Sequence, residues 1–122
     1  MCSAISWFEI PALQFERACN FYDSILDVRV QRQTVSGVPM GVFPAGQRGV
    51  GGAICQGESY LPSSNGAVIY LSVEGCIETV VERVKTAGGE VLLPKTHVGD
   101  PGYIAVILDS EGNKIGLHST TA

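Results

Sequence analysis

Few side chains in this chain can carry chemistry. There are two histidines, His97 and His118, and four cysteines, Cys2, Cys19, Cys55 and Cys76, in 122 residues. The cysteines show no CxxC spacing, so neither a zinc site nor a redox pair is written into them. Cys55 has no base assigned to it, which favours an inert thiol over a nucleophile. Arg48, inside Gly46-Gln47-Arg48-Gly49-Val50-Gly51-Gly52, is the best local candidate for holding a small anion. A solvated surface charge is the simpler reading of it. That glycine-rich stretch is not a phosphate loop, because it lacks the Lys-Ser/Thr ending and opens no helix. No serine nucleophile elbow is present. His97 precedes Val98-Gly99-Asp100-Pro101-Gly102, which serves either as a ligand-touching loop or as a solvated connector.

The formal net charge is −4, from 8 Lys plus Arg against 12 Asp plus Glu, and no basic run exists. That balance gives no footing for a nucleic-acid backbone. A chain this long with 45% hydrophobic residues can bury one core without disulfide staples. The cysteines therefore read as buried, reduced thiols of a cytoplasmic protein. The Met-Cys-Ser-Ala start is not a signal peptide, and no apolar run is long enough to span a membrane.

The elements that must position these residues follow from periodicity. Ile5 to Ile10 alternates as a strand, with Trp7 and Glu9 on one face, and Pro11 should end it. Leu13 to Leu26 repeats apolar residues at helical spacing. Strands are expected over Asp27 to Val35, Val38 to Phe43 and Gly52 to Gln56, with Ser36-Gly37 as a turn. Glu58 to Gly66 is linker-like. The order then recurs: a strand over Ala67 to Val73, a helix over Cys76 to Ala87 closed by Gly88-Gly89, a strand that begins over Glu90 to Leu93, then strands over Tyr103 to Leu108 and Lys114 to His118. Asp109-Ser110-Glu111-Gly112-Asn113 reads as a turn. The expectation is one α+β domain over residues 1–122 made of two strand–helix–three-strand units, about 4–57 and 66–119. Pairing the units gives a curved sheet with helices outside and a concave space within.

Two stretches carry a family likeness. One runs from Ile5 to Tyr22 and ends in Arg17-Ala18-Cys19-Asn20-Phe21-Tyr22. The other runs from Gly102-Tyr103-Ile104-Ala105 through Asp109-Ser110-Glu111-Gly112-Asn113-Lys114-Ile115-Gly116-Leu117-His118. With the strand–helix at Ala67 to Gly89, the chain resembles the vicinal oxygen chelate superfamily, which includes glyoxalase I, bleomycin-resistance proteins and extradiol dioxygenases. The resemblance implies two βαβββ modules in a cup-shaped mixed sheet, frequent homodimers and, in the enzymes, one divalent metal held by four His or Glu side chains. Carried over, the first ligand position falls on Trp7, the third on Val68 and the fourth on Gly116. The second lies within Gly52 to Gln56, where no residue is His or a carboxylate. No metal or other cofactor is therefore expected.

Glu9, Tyr70 and His118 each sit two residues beyond one of these positions. One reading makes them a catalytic cluster, with Glu9 as acceptor or base, His118 as proton carrier and Tyr70 as donor. The plainer one has Glu9 and His118 satisfying each other or reaching solvent. Trp7 is either a flat wall for a ligand or a plug in the core. With Trp7, Arg48, Cys55 and His97 as ligand-contact candidates, three functions stand open. These are a metal-independent protein binding a small, amphipathic molecule, an enzyme related to lactoylglutathione lyase, and a structural or interaction subunit.

Overall fold

The computed structural model describes residues 4–45 and 49–122. The element order is β1 (Trp7–Ala12), α1 (Phe15–Leu26), β2 (Gln31–Val35), β3 (Val38–Val42), β4 (Gly51–Gln56), β5 (Ile69–Ser72), α2 (Ile77–Ala87), β6 (Glu90–His97), β7 (Tyr103–Leu108) and β8 (Lys114–Ser119). This is βαβββ twice over, as expected. The strands form two four-stranded mixed sheets, β1-β4-β3-β2 and β5-β8-β7-β6, and neither closes. In each, the first strand runs parallel to the last, while the other neighbours are antiparallel.

The alternation seen in the sequence decides which face is buried. In β1, Ile10 and Ala12 are buried and Trp7 and Glu9 exposed. The helices α1 and α2 pack on each other and on the inward faces. Helix α1 buries Ala18, Cys19, Phe21, Tyr22 and Ile25, and α2 buries Ile77, Val80 and Val84, at the three-to-four spacing of an amphipathic helix. A single core includes Ile10, Phe21, Tyr22 and Ile54 with Leu71, Ile107 and Leu117.

Several boundaries differ from expectation. Pro11 does not end β1, which runs to Ala12. An edge strand tolerates a residue that cannot donate, and β1 pairs only with β4. The strand that begins over Glu90 to Leu93 runs on through Pro94 to His97 as β6, with register shifts on either side of Leu93. It too is an edge strand. Asp27 starts no strand; it caps α1 in the left-handed region at φ 52°, its N–H donating to Asp23 O. Of the cysteines, Cys19 and Cys55 are buried free thiols as expected, but Cys76 is exposed at the start of α2, and Cys2 lies outside the described residues.

A polar weld joins the halves. Helix α1 has no side-chain cap at Gln14. Instead Glu111, from the β7–β8 turn, accepts the N–H groups of Leu13 at 2.9 Å and Gln14 at 2.8 Å, and Gln56 Oε1 accepts that of Phe15 at 2.6 Å. Arg17 grips the same Glu111 carboxylate with Nε at 2.7 Å and a second nitrogen at 3.1 Å. Tyr22 Oη donates to Asp109 at 2.6 Å, and Asn113 Nδ2 donates to Pro11 O at 2.7 Å. Asp109 also accepts the N–H groups of Glu111 and Asn113, which shapes the turn itself. Asp109, Glu111 and Asn113 are all buried, so leaving any of them unpartnered would be costly.

Burial pushes the Glu111 carboxyl up, but hydrogen bonds from Arg17, Gln14, Ser110 and Leu13 outweigh it and hold it below its usual 4.5. A depressed folded-state value stabilises the fold in full above pH about 4.5, and that contribution is lost as pH falls through the folded value. Glu111→Gln should therefore cost about 2 kcal/mol at pH 7 and much less near pH 3. Urea unfolding at both pH values measures it, and an equal loss at both would contradict the assignment. The thiols give a second test. Burial first, then nearby carboxylates, pushes Cys19 and Cys55 up to about 11. In a Cys2→Ser variant at pH 8, a thiol reagent should label Cys76 promptly and the other two only on unfolding. Equal labelling rates at all three would refute their burial.

Candidate functional site

The edge strands β1 and β5 each have a partner on one side only. Between them lies a cavity of about 850 Å³, lined by Trp7, Phe8 and Glu9 from β1 and by Ala67 to Val73 on the other wall. It continues past Phe43 to Leu26 and Cys76 at the facing ends of the helices. Its walls are mainly apolar, and its size falls in the range of small-molecule sites.

Register explains what projects into it. Glu9 pairs with Ala53 across β1–β4, and Tyr70 pairs with Gly116 across β5–β8. Each first strand thus stands beside a small residue on the last strand of its own sheet. The Trp7 indole lies over Gly51, where an added Cβ would sit 3.0 Å from the ring. The Tyr70 ring covers Gly116, and a Cβ there would overlap it. Both rings remain about half exposed.

Glu9 is the polar centre of this face. Trp7 Nε1 donates to one of its oxygens at 3.2 Å and Tyr60 Oη to the other at 2.9 Å. That hydrogen bond is the main reason the Tyr60 hydroxyl is pushed up to about 12. Tyr60 is set in place by a turn in which its N–H donates to Gly57 O. Cys55 is buried beside this pair, raised by burial and then by the Glu9 charge. Tyr60 was hidden in the linker-like segment; being the only aromatic among its turn residues was the one signal for it.

The structure brings Trp7, Glu9 and Tyr70 to one cavity. It does not bring Glu9 and His118 together. His118 pairs with Ser72 on β5 and Ile104 on β7, and its Nε2 bonds to Pro101 O. A carbonyl only accepts, so Nε2 carries the proton there. His97 packs against Tyr103 with ring centroids 5.0 Å apart and planes tilted by 56°, away from the cavity. Cys55 does not line the cavity either, and Arg48 lies outside the described residues. Among the described residues, no three His, Cys, Asp or Glu side chains are grouped to hold a metal ion, and no helix is long and apolar enough to cross a membrane.

No curated protein matches the chain. Solved structures do. The fosfomycin resistance protein FosX from Listeria monocytogenes superposes with a TM-score of 0.69 at 20% identity, covering 100% of this chain and 94% of its own. A glyoxylase/bleomycin resistance protein/dioxygenase domain from Frankia sp. EAN1pec gives 0.71 at 20%, covering 98% and 93%. The hypothetical protein SA1046 from S. aureus gives 0.67 at 24%, covering 98% of each chain. At these identities the likeness is one of fold. The family model described as Glyoxalase/Bleomycin resistance protein/Dioxygenase superfamily matches residues 4–117. With the repeated βαβββ order and the open sheets, this means that the chain belongs to the glyoxalase/bleomycin resistance protein/dioxygenase superfamily.

Proposed function

We propose that this protein binds a small molecule in the cavity between β1 and β5, and that it does so without the divalent metal of the family's enzymes. The carrying observation is an open, aromatic-walled cavity of about 850 Å³ beside the positions where the family's metal ligands would stand. Three of those positions are Trp7, Val68 and Gly116. The repeated register supports Ala53 as the fourth, since it faces Glu9 as Gly116 faces Tyr70. None of the four side chains offers an oxygen, nitrogen or thiolate donor to a divalent ion at about 2–2.5 Å. The residues present do not fit that metal.

Binding is favoured over turnover because Glu9 and His118 are each hydrogen-bonded elsewhere rather than to one another. It is favoured over a purely structural role because the cavity is not filled by the protein's own side chains. FosX is a fosfomycin resistance protein; at 20% identity it lends the fold, not a substrate. The buried free thiols support a reducing compartment such as the cytoplasm. Val35 on β2 and Leu92 and Leu93 on β6 are exposed on edge strands, which supports a homodimer.

Elemental analysis of untagged protein should find no stoichiometric transition metal; one per chain would sink the metal-free reading. A metabolite-library screen followed by titration should identify a ligand whose affinity falls about tenfold in Trp7→Ala, roughly 1.4 kcal/mol of ring contact. Absence of any ligand would instead support the structural role. Light scattering should give twice the 12.9 kDa chain mass, and a monomeric mass would rule out the dimer.

A further inference from the structure

Among the described residues that line the cavity, one charge stands without an opposite charge. Glu9 is the one charged side chain among its described lining residues. The ion pairs among the described residues join Arg17 to Glu111, Arg32 to Glu16 and Asp23, and Lys95 to Glu78, so none involves Glu9. Lys114 lines an adjoining smaller cavity of about 260 Å³ that Glu9 also borders, yet makes no ion pair with it. The groups that donate to Glu9 are neutral, the Trp7 indole N–H on one oxygen and the Tyr60 hydroxyl on the other, with the Cys55 thiol beside them. A carboxylate has about four lone-pair sites, so room remains for a further donor. These donors orient the carboxylate without cancelling its charge.

The neighbouring surfaces suit the same partner. Trp7 and Tyr70 are 45% and 49% exposed and line the cavity. Aromatic faces attract cations as well as apolar groups. Beyond them Leu26, Val28, Phe43 and Val80 provide an apolar depth.

Resting on the binding function proposed above, we propose that the ligand is a small organic cation: a protonated amine with an apolar or aromatic body. Its ammonium group donates to the free lone pairs of Glu9, and its body lies against Trp7 and Tyr70.

Trp7 is the only tryptophan in the chain, so its emission reports on this site alone. The test titrates phenethylamine, phenethyl alcohol and hydrocinnamate, which share an aryl body and differ in charge, into wild type and Glu9→Gln. Because Glu9 is exposed, that variant removes charge without disturbing the core. The expected result is saturable binding of phenethylamine at least about tenfold tighter than of the alcohol, a preference that Glu9→Gln erases. Equal affinity for amine and alcohol, or a preference that survives Glu9→Gln, would overturn the cation class and leave small-molecule binding standing. Tightest binding of hydrocinnamate would overturn it in favour of an anion held by Arg48, which lies in sequence between the lining residues Ala45 and Gly49. No response to any of the three would also overturn it. In that case the independent library screen decides whether the binding function falls as well.

Discussion

The structure depends on the unmet hydrogen-bond donors at the start of α1. A helix leaves its first N–H groups without internal partners, and Gln14 supplies no cap of its own. The acceptors come from Glu111, 97 and 98 residues away along the chain, and from Gln56. The negative charge of Glu111 also suits the positive end of the helix, and Arg17 completes the pairing. Because Asn113 holds Pro11 and Asp109 holds Tyr22, one turn clamps β1, α1 and the β7–β8 hairpin together. Both halves must be folded for all of these buried groups to be fully satisfied, because the turn's internal bonds meet only part of their need.

That clamp has a consequence for the site. It holds the halves through a turn and a shared core, while β1 and β5 stay edge strands of separate sheets. Unpaired strand edges ordinarily invite another chain; here they flank a cavity. The repeated register then puts Ala53 and Gly116 beside Glu9 and Tyr70, so the last strand of each sheet leaves room that the first strand's side chains use. Trp7 and Tyr70 lie across glycines for the same reason. Glu9 is the one charged side chain among the described residues of that largely apolar lining.

Much of the scaffold was legible in the chain. The stripe of Ile77, Val80 and Val84 marks a helix on a core, and the alternation through Trp7, Phe8, Glu9 and Ile10 marks a half-buried strand. Boundaries were less legible where a residue's usual local effect was overridden. Pro11 reads as a stop, but it lies in an edge strand, where a missing donor is tolerated. Asp27 reads as the beginning of a strand, but the end of α1 needed a left-handed residue there.

The sequence by itself determined the order of elements, their inward faces and the absence of donor side chains at Trp7, Val68 and Gly116. These depend on residue type and local period, which any one stretch of chain carries. Only the tertiary structure decided the partners: that Glu9 meets Tyr60 rather than His118, that His118 turns to Pro101, and that Glu111 caps a helix at the other end of the chain. A side chain's partner is set by how distant segments come together in space, and local periodicity carries no record of that meeting.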